Sequence, residues 1–137
     1  MANYNWGFDY PMTACGDQNS NQYKFVQCAS GGTNGRFELA TGGSNPAPVG
    51  VLQDDPESLN TGAVRILGVT KLMADAEGTA IGYGDWLVCG SVGMAVATTT
   101  GSNINAMALE ALASGSGVYI TALLLPGAGG NMGDNVP

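Results

Sequence analysis

The chain has 137 residues, a formal net charge of −7 and no histidine, with 45% hydrophobic but only 11% charged residues. That length suits one domain with a single core. The charge excludes a nucleic-acid binder, because Lys24, Arg36, Arg65 and Lys71 are its only cations and cannot build a phosphate-neutralising face. With so few charges, the surface must be covered by Asn, Ser, Thr and Gly. The 22 glycines follow no three-residue period and stand mainly at turns.

The first element is residues 4–10, where Tyr4, Trp6, Phe8 and Tyr10 alternate with Asn5, Gly7 and Asp9. Period 2 places the four rings on one face of an extended segment. Two readings stand: a terminal strand docked on its own core, or an arm reaching onto a neighbouring subunit. The polar stretch to residue 21 reads as a loop, so 1–20 is expected as an N-terminal arm and loop, 21–126 as a β domain and 127–137 as a flexible Gly-rich tail.

Within the β domain, Gln22–Ala29 reads as a strand and 30–35 as a turn cluster, with Arg36–Ala40 as the returning arm of a hairpin. Prolines 46 and 48 break the chain before a short strand at Val49–Gln53. The acidic turn Asp54-Asp55-Pro56-Glu57 lacks the ligand spacing of a calcium loop and reads as a solvated turn. From Gly62 to Val96, short β-favouring runs are separated by Gly/Asp turns every 8–12 residues or so, as in a small sandwich or barrel. In that stretch Trp86 reads as a core residue. Residues 106–112 (AMALEAL) are ambiguous and are expected as a strand ending in a helical turn. Val118–Leu125 is the strongest strand, apolar on both faces near its end, and should lie centrally or under an interface.

Chemistry finds no foothold. The glycine pairs 82/84 and 115/117 lack the dinucleotide fingerprint, and no phosphate-binding loop is present. Cys15, Cys28 and Cys89 form no zinc pattern. An odd number and the absence of a signal peptide suggest reduced thiols, with Cys28 and Cys89 as small core residues. The conceivable carboxylate pairs, Asp75 with Asp85 or Glu110 with Asp54, read as turn and surface groups. The expectation is a non-enzyme without cofactor or metal, whose work is done by surfaces.

Five segments in order carry a family likeness: 48–55 (PVGVLQDD), 68–71 (GVTK), 81–88 (IGYGDWLV), 108–115 (ALEALASG) and 119–127 (YITALLLPG). Their order and spacing over residues 48–127 resemble small capsid decoration (cement) proteins of tailed bacteriophages, a family sometimes labelled RecA/RadA-recombinase-like. The resemblance implies an all-β barrel or sandwich with extended arms. It also implies a homotrimer on the outer surface of the virion head that clamps the major capsid protein after expansion. The first 45 residues depart from the family pattern. Candidate contact residues, read from the sequence itself, are Tyr4, Trp6, Phe8 and Tyr10 with the acidic Asp54 and Asp55; direct nucleic-acid or membrane contact is not expected. The alternative is a glycan- or host-binding module in which Tyr83, Trp86 or the N-terminal rings stack on sugars.

Overall fold

A computed structural model of the chain describes residues 6–29, 35–42, 47–99 and 104–125. The expected turn at 30–34, Tyr4 and the tail at 127–137 lie outside them. All regular structure among the described residues is β: β1 (Gly7–Ala14), β2 (Phe25–Cys28), β3 (Arg36–Leu39), β4 (Pro48–Leu52), β5 (Thr61–Asp75), β6 (Trp86–Cys89), β7 (Ala95–Ala97), β8 (Ala106–Ala108) and β9 (Ser116–Leu124). The helical turn expected after residue 108 does not form; β8 ends there, and Leu112 instead makes an isolated bridge with Ile81.

The strands join in the order β1-β3-β2-β4-β5-β7-β6-β8-β9, and two further pairings, β1–β5 and β5–β9, close the sheet on itself twice. The result is two five-stranded rings that share β5. Thr61 to Gly68 pairs with β1 and, across its other edge, with β4; Gly68 to Asp75 pairs with β9 and, at Ala74, with β7. Pairing is antiparallel except for β1–β3 and β5–β7. Closure leaves few open edges to recruit other chains indiscriminately.

Two cores follow, rather than the single one that length suggests. Ala14, Val26, Phe37, Leu52 and Val64 fill the first ring. Leu72, Ala74, Ile81, Leu87, Cys89, Ala106, Ala108, Ile120, Ala122 and Leu124 belong to the second. The wall between them is β2 and β4. Phe25 and Val51 join the second core, while their neighbours Val26 and Leu52 join the first. Buried on both faces, the Phe25-Val26 and Val51-Leu52 pairs place consecutive apolar residues on opposite sides of the wall. Burying each such side chain contributes about 1.5–3 kcal/mol. A five-stranded ring is narrow, which explains why alanines alternate with larger residues on β8 and β9. Residues 106–112 look ambiguous in sequence because ring diameter, not helix propensity, selects Ala there.

The two rings meet at Gly68. It pairs with Gly7 of β1 and with Leu124 of β9, and the Val69 amide donates to the Trp6 carbonyl at 2.6 Å. Its φ is +107°, and a Cβ there would stand 2.3 Å from the Trp6 oxygen. Beside it, Arg65 is almost fully buried and clamps β1 through a two-pronged ion pair with Asp9, at 2.6 and 3.0 Å; its third nitrogen donates to the Val69 carbonyl at 2.9 Å. A second clasp is Tyr23, held at φ 63°, a backbone region uncommon for a bulky residue. Its amide donates to the Leu52 carbonyl, its carbonyl accepts from Met73, its ring meets Tyr119 edge-on at 5.5 Å, and the Lys71 ammonium lies 5.8 Å above it.

Two stability predictions follow. Gly68→Ala should cost about 2 kcal/mol or more and lower Tm by roughly 6 °C, whereas Gly84→Ala should cost less. Gly84 also has positive φ but nothing within 4 Å of its added methyl, so the difference in thermal melts isolates the strand crossing. Asp9→Ala leaves the Arg65 charge uncompensated and should destabilise by about 2–3 kcal/mol in urea unfolding, less than a fully buried pair because Asp9 is partly exposed. The exposed Asp55→Ala should stay within about 0.5 kcal/mol.

Candidate interaction surface

The carboxylates singled out as conceivable acid–base pairs are each bonded to a backbone amide, Asp75 and Asp85 within turns and Asp54 and Glu110 to amides of strands β5 and β9. Asp54 accepts from the Ala63 amide with both oxygens at 3.2 Å. Asp75 accepts from Glu77 at 3.1 Å, Asp85 from Gly82 at 2.7 Å, and Glu110 from Thr121 at 2.6 Å. No group of three or more Cys, Asp and Glu able to hold a metal exists among the described residues. The cysteines are unbridged. Cys89 is buried as expected, and burial pushes its thiol up to about 11, against the smaller opposing effect of backbone contacts with Gly42 and Gly93. Cys28 is exposed, contrary to expectation. It ends β2 where the wall between the cores ends, so its outward side has nothing to bury it.

The N-terminal aromatic segment is, from Gly7 on, a strand of the chain's own sheet. Trp6, Phe8 and Tyr10 are nonetheless 72%, 57% and 53% exposed, so docking leaves their rings in solvent. A register shift between Phe8 and Asp9 puts Phe8 opposite Leu67 but Tyr10 opposite Val64. Leu67 and Val64 are three residues apart and lie on opposite faces of β5, so the rings do not form the single row that simple alternation predicts. Phe8 and the half-exposed Leu67 instead edge an apolar groove of about 420 Å³ between the two rings, walled by Pro48, Val49, Ile66 and Leu125. Asn105 is its polar member, and that side-chain oxygen already accepts from the Cys89 amide at 3.1 Å.

Register reveals a further apolar feature that the strands' sequences do not disclose. Trp86 is directly opposite Met107, Met107 opposite Leu123, and Leu123 opposite Val69. Met107, Leu123 and Val69 each stand between buried residues and Trp86 precedes buried Leu87, so the four point outward as one row across β6, β8, β9 and β5. Trp86, expected in the core, is 41% exposed, since Leu87 and Cys89 take the inward positions on β6. The next outward pair along β5 and β9 is Lys71 with Thr121, and beyond it Met73 with Tyr119. Tyr83, 77% exposed, stands on the turn that the Asp85 carboxylate and a Gly84–Ala108 bond hold rigid. The acidic turn lies elsewhere, against the loop whose Gln18 amide donates to Pro56. There Asp55 and Glu57 are exposed, whereas Asp54 is half-buried. Of the expected contact residues, the structure brings Phe8 to the groove and leaves Asp54 and Asp55 on this separate turn.

No family model matches the sequence and no curated protein matches it. Among solved structures the chain is similar to the N base of head fiber gp8.5 in bacteriophage phi29, with a TM-score of 0.64 and 22% identity over 86% of this chain and 93% of that one. At this identity the likeness is one of fold.

Proposed function

We propose that this protein is a structural decoration (cement) protein that binds, as a homotrimer, the outer surface of an expanded phage head and stabilises contacts between major capsid subunits. The observation that carries the reading is the outward apolar surface, with Trp6, Phe8, Leu67 and Trp86 left in solvent on a closed β body. A monomer gains nothing by exposing such a surface, and contiguous apolar area of this kind marks interaction sites. The fold likeness to a phage head fiber base and the sequence resemblance to decoration proteins point to the same setting. Asp54, Asp75, Asp85 and Glu110 brace the backbone, which suits a scaffold rather than a catalyst.

Rings closed around two cores resist deformation, and rigidity is what a clamp needs. Each bound copy then adds contacts that must break before the shell subunits separate, and many copies on one shell act together. Trp6, Phe8 and Tyr10 are the proposed contact residues, with exposed Asp55 of the acidic turn beside half-buried Asp54 facing basic capsid positions. A second reading, a glycan- or host-binding module, is favoured by one feature, the rigidly held and highly exposed Tyr83 beside Trp86. Aromatic faces of this kind stack on sugars.

Purified protein added to expanded shells that lack it should co-sediment with them and raise their thermal disruption temperature. Phe8→Ser with Trp6→Ser should weaken that binding at least tenfold while the isolated protein's melt changes little. Unchanged shell stability with clear binding to cells or immobilised glycans, abolished by Tyr83→Ala, would replace the capsid reading with the second one.

A further inference from the structure

The outer face of the second ring is unusual for a chain with a net charge of −7. Its outward positions on β5 from Val69 to Met73, and on β6, β8 and β9 from Tyr119 to Leu123, include no carboxylate. Lys71 is the one charged residue among them, and its ammonium lies over the Tyr23 ring. Across it runs the row Trp86–Met107–Leu123–Val69, with Met73 and Tyr119 beyond the intervening Lys71–Thr121 pair. An antiparallel sheet that faces water carries polar residues on that side, so an apolar row there calls for a cover.

We infer that this face is the surface through which copies of the chain contact one another, centred on Met107 and Leu123. The argument for a second copy, rather than a basic partner, is electrostatic. Like-charged chains associate only where carboxylates do not meet; the outward strand positions offer none, and the Glu110 carboxylate beside them is tied to the Thr121 amide at 2.6 Å. A face built for a basic surface would present acids at its outward positions, whereas the acids of this half of the chain, Asp75, Glu77, Asp85 and Glu110, lie outside those strand positions. The row also continues toward other exposed apolar groups. The Val69 amide is bonded to the Trp6 carbonyl, and Leu125, two residues beyond Leu123 on the same side of the chain, lines the groove edged by Phe8 and Leu67. Four strands at about 4.8 Å spacing and the length of β9 make a face of roughly 14 by 27 Å. That is about 380 Å², roughly half of the ~800 Å² that each partner of a standard interface buries, so the contact extends onto the groove rim.

The inference deepens the proposed capsid role by naming the oligomer's contact face, and its test separates the two. Sedimentation velocity and native mass spectrometry at about 20 µM should give an oligomer for the natural chain. Met107→Glu puts a carboxylate in the middle of the face and should shift the population to monomer, raising the dissociation constant at least tenfold with an unchanged circular dichroism spectrum. Thr79→Glu, the same charge change on an exposed turn, should leave the oligomer intact. Trp86→Gln, at the exposed end of the row, should weaken association without adding charge and serves if Met107→Glu fails to fold. A natural chain that is monomeric at this concentration, or a folded Met107→Glu or Trp86→Gln that keeps the full oligomer, overturns the inference. A monomer that still binds expanded shells would do so while leaving the capsid role standing. An oligomer that ignores shells would support the contact face and remove that role.

Discussion

Gly68 carries no side chain because the strand around it must serve two rings at once. At that residue β1 arrives from one ring and β9 from the other, and the Trp6 carbonyl comes close enough to bond the next amide. Any Cβ would collide with that oxygen. A conformation that only glycine adopts readily therefore sets how closely the rings approach. The Arg65–Asp9 pair then ties the first strand down beside the crossing. Much of the remaining architecture follows from this junction, including the groove between the rings and the double burial of β2 and β4.

The junction also explains how a strand can be docked and still offer its aromatic rings. Bonded to β5 through its backbone, β1 gains its place from hydrogen bonds and from Met12 and Ala14, which pack with the first core. Its first half need not bury anything. Trp6 and Phe8 project beyond the core, at the edge where the two rings leave a groove. Backbone pairing and side-chain burial are thus separated along one strand, which gives a rigid mount for exposed apolar groups.

Charge is divided in the same way. Arg65 is neutralised by Asp9 inside the fold, so the protein's surface is more uniformly acidic than its four cations suggest. Several carboxylates brace turns through backbone amides, and the outer face of the second ring is left nearly uncharged. Such segregation costs stability, because solvent-facing apolar residues gain little from folding alone. It becomes useful when the exposed groups are covered in an assembly.

The strands themselves were legible because their causes are local. Alternating β-branched and aromatic residues, with Gly and Asp at the turns, mark the all-β class, the hairpin of β2 and β3, and the strand character of β9 whatever the topology. The absence of histidine and of nucleotide motifs was equally plain. Pairing partners are not local. The two rings, the parallel contacts of β7 and β1, and the second core depend on residues far apart in the chain. So does the row from Trp86 to Val69, since each member looks unremarkable on its own strand and acquires neighbours only through register. The shift at Phe8 belongs to the same class: alternation along one strand predicts a single aromatic face, and pairing across to β5 divides it. Sequence determined which segments are strands and which chemistries are excluded, through short-range propensity and composition. Tertiary structure decided which apolar residues are core and which are surface, because that depends on what each strand pairs with and on where the closed sheet has room.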